Sequence, residues 1–181
     1  MKALVTYESV YGNTAEIAHA VGEGLAEIGA VVVIPASDNV NRELADADLV
    51  VVGGPTHVHG MSTTASRRSA LEATSKDGGP EPPFEGEAVR ALLEGIGEGS
   101  GRAAAAFDTR MHGPQLLTGS AAKAIGRRLR RHGFELVAEP ESFVVAHSEG
   151  PLADGEWDRA VDWGRTLAGV VAARAPASAR S

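Results

Sequence analysis

The chain of 181 residues contains no cysteine. That absence removes disulfides, thiolate metal sites and cysteine nucleophiles together. Aromatic residues are scarce at 4%, so a core has to rest on Val, Leu, Ile and Ala. Positive charge is also in deficit: 17 Lys and Arg stand against 24 Asp and Glu, a formal net charge of −7. Non-specific nucleic-acid binding needs a basic field, and this balance argues against it. An acidic surface suits solubility and contact with a basic partner. No apolar run approaches the ~20 residues of a membrane span. The first residues enter Ala3-Leu4-Val5 at once, without the charged region and long apolar stretch of a signal peptide. The expectation is a cytoplasmic protein with no nucleic-acid partner and no membrane insertion.

What is present is an apolar fraction of 43%, ordinary for a globular protein, in a length that fits one domain. Residues 1–174 are expected to form that domain and residues 175–181 a flexible tail. Met1 to Tyr7 reads as a short apolar strand. From Thr14 the apolar residues Ile17, Ala18, Val21, Leu25 and Ile28 recur at helical steps until Gly29. Val31 to Ile34 is a second strand ended by Pro35. Leu44 and Ala45 mark a brief helical turn. Leu49 to Val52 is a third strand, apolar throughout and so buried on both faces. Residues 63–73 read as a helix and residues 74–86, rich in Gly, Pro and acid, as a surface loop. Val89, Leu92, Leu93 and Ile96 mark a helix, and Arg102 to Phe107 a fourth strand. Ala121 to Arg131 is helical. Phe134 to Val137 begins a fifth strand, which Phe143 to Val145 extends or re-enters after Pro140. A last helix runs from Glu156 to Ala173 with Trp157, Val161, Gly164, Ala168 and Val171 on one stripe. Strand and helix thus alternate five times, which favours a parallel sheet with helices on both faces.

In a doubly wound sheet, ligands bind beyond the carboxyl ends of the strands, where the strand order switches. The segment after strand one is Glu8-Ser9-Val10-Tyr11-Gly12-Asn13-Thr14, which leads straight into a helix. Free N–H groups there and the positive end of the helix dipole suit an anion. Gly12 lets the backbone turn closely around a phosphate, while Ser9, Asn13 and Thr14 offer side-chain hydrogen bonds. The bland alternative is an ordinary helix cap. The loop is neither a Walker A motif nor a dinucleotide fingerprint, because neither Gly-Lys-Ser/Thr nor G-x-G-x-x-G occurs in it.

The pattern Tyr7-x-Ser9-x-x-Gly12-x-Thr14, followed by Ala18, resembles the FMN-phosphate signature of flavodoxins, and the resemblance extends from Lys2 to about Val171. Flavodoxins are themselves an established instance of FMN bound at such a switch point. The resemblance implies an α/β, flavodoxin-like, doubly wound sheet of five parallel strands in the order 2-1-3-4-5. It implies FMN, with the phosphate held by Ser9, Val10, Tyr11, Gly12, Asn13 and Thr14. Tyr11 departs from the family, which more often carries Thr there.

By the same resemblance, the loop after strand three covers one face of the flavin ring with Pro55, Thr56, His57, Val58 and Gly60. His57 stands where many members place a larger aromatic residue. The loop after strand four contacts the other side and the pyrimidine edge through Phe107, Asp108, Thr109, Arg110 and His112. Backbone N–H groups of Thr109 and Arg110 are expected to bond the flavin carbonyls. A positive Arg110 near that edge would ease the second reduction step, because fully reduced FMN can become anionic. The bland readings are a tight turn at Gly53-Gly54-Pro55 and a strand-end cap at Asp108-Thr109. His57-x-His59 makes a poor metal site with no thiolate or carboxylate beside it, so no metal is expected.

Three functions fit. The first is an FMN electron carrier between redox partner proteins, in which no side chain acts as acid or base. The second is an FMN-dependent reductase taking hydride from NAD(P)H and reducing a quinone. The third is a flavin-free regulatory or binding domain. Each is compatible with a monomer or a homo-oligomer. A receiver domain is discarded because Gly53-Gly54 stands where its aspartate would be, and a hydrolase built from Ser9, His57 and Asp108 lacks a G-x-S-x-G elbow. The basic run Arg127-Arg128-x-Arg130-Arg131 reads first as cations near a helix C-terminus, and secondarily as a docking patch. Trp157 and Trp163 are assigned core or half-buried places.

Overall fold

The computed structural model describes residues 1–36, 40–57, 60–61, 89–113, 119–147 and 149–174. The helix expected over residues 63–73, the loop over 74–86, His59 and the tail from 175 lie outside them. Strand β1 (Lys2–Tyr7) runs parallel to β2 (Ala30–Pro35) on one side and to β3 (Leu49–His57) on the other. Next to β3 lies β5 (Ala103–Met111), also parallel. The fifth position in the sheet is shared by β6 (Glu135–Leu136) and β7 (Glu141–Val145), which pair in turn with the start and the end of β5. A two-residue β4 (Gly60–Met61) folds back antiparallel on the end of β3. The order is 2-1-3-4-5 when β6 and β7 count as one interrupted strand. Pro140 stands at the interruption, where a missing N–H costs the ladder nothing.

Alternation along the strands sends side chains to two cores. Ala3, Val5, Val51, Ala105 and Phe107 face helices α1 (Asn13–Leu25) and α5 (Glu156–Arg174). Leu4, Val50, Val52, Ala104 and Ala106 face α2 (Val40–Asp46), α3 (Val89–Gly95) and α4 (Ala121–Arg131). Covering both faces explains why β1 and β3 read as unbroken apolar runs. Among the described residues, no helix is long and apolar enough to cross a membrane.

Helices α1 and α5 approach through glycine. A Cβ on Gly24 would lie 2.1 Å from the Val161 carbonyl oxygen, and one on Gly164 would lie 2.4 Å from that of Val21. The scarce aromatics gather beneath this contact: Phe107, Phe143 and Trp163 meet edge to face with ring centres 6.0–6.2 Å apart. Arg159 lies over the Phe143 ring and pairs with Glu141 and Glu156, which fixes the start of α5 to β7. Trp157 does not join the buried stripe expected of it. It is 40% exposed, because burial along α5 begins only at Ala160.

Two segments expected as loops are strand. β3 continues through Gly53-Gly54-Pro55 and β5 through Asp108-Thr109-Arg110, with Gly53 opposite Phe107, Gly54 opposite Asp108 and Pro55 opposite Thr109. The reason is packing across the pair: the Phe107 ring occupies the space above Gly53, where a Cβ would come within 2.0 Å of Cζ.

Candidate functional site

At the carboxyl edge of the sheet lies a cavity of about 230 Å³. The β1–α1 segment contributes Val10, Tyr11, Asn13 and Thr14 to its lining. β3 contributes Pro55 and Thr56, β5 contributes Thr109, Arg110 and Met111, and β7 contributes Val145. The site therefore forms at the switch point, where β1 has neighbours on both sides.

The first turn of α1 is built to leave donors open. Gly12 precedes the helix at φ +88°, a left-handed conformation that favours glycine, and no side chain caps the helix there. A Cβ built on Gly12 meets nothing within 4 Å. The Ala15 N–H donates to Ser9 Oγ at 3.3 Å, and the Glu16 N–H to the Gly12 carbonyl at 3.0 Å. The N–H groups of Asn13 and Thr14 find no partner among the described residues. Two open donors at a helix N-terminus beside a cavity are neutral groups able to bond an anion.

The side chains in this segment already have partners. Asn13 Nδ2 donates to the Glu149 carbonyl at 3.0 Å. The Thr14 and Thr109 hydroxyls lie 2.7 Å apart. Ser9, fully buried, accepts from α1 and does not line the cavity. Glu8, also buried, accepts the Val89 N–H at 2.9 Å and so ties the end of β1 to the start of α3.

On the opposite side of the cavity, Asp108 organises the wall from behind. Its Oδ2 accepts from Thr56 Oγ1 at 2.9 Å, Ser120 Oγ at 2.8 Å and the Ala122 N–H at 2.8 Å. Thr56 Oγ1 in turn accepts the Ala121 N–H at 2.8 Å, and Ser120 Oγ that of Lys123 at 3.1 Å. Three of these bonds join the ends of β3 and β5 to the start of α4, one ties the two strands to each other, and one caps the helix. Arg110 points to the same face of β5 as Asp108 and is largely buried, with its guanidinium donating to the Gly113 carbonyl.

Val10, Tyr11, Asn13, Thr14, Pro55, Thr56, Thr109 and Arg110 converge on one cavity. Phe107 does not: it is fully buried, and strand alternation turns its ring into the core with Phe143 and Trp163. Asp108 is fully buried behind Thr56 rather than facing the cavity. Gly12 shapes the turn without lining the cavity, and His112 is exposed outside the lining. Thr109 and Arg110 sit within the ladder, opposite Phe143 and Val144 of β7, so the loop N–H groups expected there belong to a strand. The backbones of His57 and Gly60 pair with each other at the end of β3, and Val58 lies outside the described residues. Met111 and Val145 line the cavity unannounced. For Val145 a signal existed: it ends the last strand of the sheet, on the edge where such ligands bind.

Comparison with known proteins agrees with the fold. A flavodoxin domain model matches residues 4–67. Two uncharacterized proteins of Methanocaldococcus jannaschii are 38% and 39% identical over 60 and 59 residues. Each match covers 30% of this chain and 15% of the relative, so only a small part of those longer proteins is shared. Among solved structures, a flavodoxin from the domain Archaea superimposes with a TM-score of 0.63 at 22% identity, covering 95% of this chain and 99% of that one. Oxidised flavodoxin 2 from Bacillus cereus gives 0.61 at 22% identity over 97% and 100% of the two chains. The WrbA-like flavodoxin of Agrobacterium tumefaciens gives 0.63 at 18% identity over 96% and 99%.

Proposed function

From the premise that this chain is a flavodoxin-like protein, we propose that it binds FMN and serves as an electron-transfer protein, accepting and passing one or two electrons between redox partners. The observation that carries the reading is the pair of open N–H groups, on Asn13 and Thr14, at the mouth of the cavity. They fit a phosphomonoester: the donors are neutral, and Gly12 leaves room beside them for its oxygens. A charge-assisted bond from each contributes about 1.5–3 kcal/mol. Beyond the donors, Val10, Pro55, Met111 and Val145 give the cavity apolar walls, the mixture that suits a cofactor with a polar tail and a flat ring system.

When bound, FMN supplies the electron chemistry, and the protein supplies binding, orientation and electrostatics. Asn13 and Thr14 fix the anionic end. Asp108, through Thr56, holds the ends of β3 and β5 against α4 so that the wall keeps its shape. Arg110 places a positive charge at that wall. No side chain has to move a proton.

The visible spectrum of the purified protein during stepwise reduction, together with a steady-state assay using NAD(P)H and a quinone, tests the proposal. Flavin absorbance, two resolved one-electron steps and no NAD(P)H turnover by the protein alone are expected. Turnover of NAD(P)H with quinone would replace the carrier by a reductase. A colourless protein that takes up no added FMN would leave a flavin-free binding domain.

A further inference from the structure

We infer that the outer face of α4 is a docking surface for an acidic protein. Helix α4 contains Lys123, Arg127, Arg128, Arg130 and Arg131 and no acidic residue. Removing those five positive charges from the net −7 of the chain leaves −12 on all remaining residues. The cations are segregated as well as concentrated. Ala121, Ala122, Ile125, Gly126 and Leu129 form the buried side of the helix, whereas Lys123, Arg127, Arg130 and Arg131 are exposed.

Two structural explanations cover only part of this. The helix dipole favours cations in the last turn, which holds Arg128, Arg130 and Arg131, but its effect fades before Arg127. An ion pair engages Arg128 with Glu94 at 3.4 Å, yet Arg127, Arg130 and Arg131 have no ion pair among the described residues. Meanwhile Arg127 and Arg130, and Arg127 and Arg131, are neighbours three or four positions apart. Like charges at those spacings destabilise an isolated helix. The Arg127 pairs oppose helix formation locally, and an opposite charge laid over them would relieve that repulsion.

The remainder of the chain indicates which opposite charge. A long polyanion extending beyond the patch, such as a nucleic acid or an anionic membrane, would be repelled by a chain whose remaining residues carry a net charge of −12. A compact acidic protein surface, about the size of two helical turns, matches the extent of the patch and meets less of that repulsion. Arginine suits such a carboxylate partner because its planar fork bonds both oxygens at once. The face starts at the site and leads away from it: the first turn of α4 is bonded to Thr56 and Asp108, and its last turn adjoins Gly133, which accepts from Gly101 just before β5. The inference does not depend on what the cavity binds.

The test uses the full chain and a fluorescein-labelled poly-glutamate peptide, followed by anisotropy at low and at high salt. Labelled duplex DNA and phosphatidylserine vesicles serve as competing probes. Binding to poly-glutamate is expected, weakened by salt, and reduced at least about tenfold in Arg127→Gln/Arg130→Gln/Arg131→Gln. The variant Arg42→Gln/Arg165→Gln/Arg174→Gln changes the net charge equally from exposed positions elsewhere, and should bind as the parent does. Thermal unfolding confirms that both variants fold; should the first not, single substitution of Arg127 takes its place. No binding to poly-glutamate, equal loss in both variants, or tighter binding to DNA or vesicles would each overturn the inference.

Discussion

The hydroxyls of Thr14 and Thr109 are 2.7 Å apart, joining the first turn of α1 to the end of β5 across 95 residues of sequence. Both line the cavity. Two hydroxyls carry two protons, and their mutual bond uses one. Whichever residue donates, the other retains a proton for a ligand. The pair therefore holds two elements together and still offers one donor to the proposed phosphate.

A specific pattern of affinities follows. Thr14→Val leaves the Thr109 hydroxyl free to donate to the ligand, and Thr109→Val leaves that of Thr14. Each single variant should weaken FMN binding only a few-fold. The double variant has no hydroxyl and loses a hydrogen bond to a charged group, about 1.5–3 kcal/mol, or roughly tenfold to a hundredfold. Titration calorimetry on the four proteins measures the non-additivity directly.

Gly12 is constrained by its backbone and not by its surroundings, since φ is +88° and nothing lies within 4 Å of an added Cβ. Gly12→Ala should cost about 1–2 kcal/mol of stability from the left-handed conformation alone. Gly12→Asn should cost less, because Asn tolerates that region better. Urea unfolding of the two variants ranks them.

Arg110 brings positive charge to the cavity wall. Fully reduced FMN is negative once it has lost a proton, so the cation should favour that form. Arg110→Ala is expected to make the second reduction potential more negative, by on the order of 60 mV for each tenfold loss of preference. A redox titration that shows no change removes the role.

The α1–α5 contact makes two glycines in one helix behave oppositely. Gly164→Ala drives a Cβ to 2.4 Å from the Val21 carbonyl oxygen, and such overpacking costs about 1–3 kcal/mol or more. Gly169 is exposed on the same helix with nothing within 4 Å. Gly169→Ala should therefore stabilise the protein by about 0.5–1 kcal/mol. Urea midpoints with unchanged slopes are the check.

The sequence carried the parallel alternation of strand and helix and the tight turn before α1 because both rest on local signals: apolar runs, helical spacing, and Gly12 before a helix start; the strand order came with the family resemblance. It misled where the deciding contact is distant. Gly53-Gly54-Pro55 has the composition of a turn, yet it is strand because Phe107 lies over Gly53. The carboxylate of Asp108 was not legible as a structural group because the α4 groups it binds lie 12 and 14 residues further on. Phe107 was the more legible case: alternation from Ala105 and Phe107 to Thr109 puts all three on the α1 side, where only Thr109 extends far enough along the strand to reach the cavity. Trp157 has the right spacing for the α5 stripe, but burial starts one turn later.

The measurement that bears most directly on the central claim compares FMN with riboflavin, which has the same ring system and no phosphate, by calorimetry on the same protein. If the open N–H groups of Asn13 and Thr14 hold the phosphate, FMN should bind in a 1:1 ratio and at least about tenfold more tightly than riboflavin, a difference of 1.4 kcal/mol or more. Equal affinity for the two, or no association with FMN at all, would contradict the account.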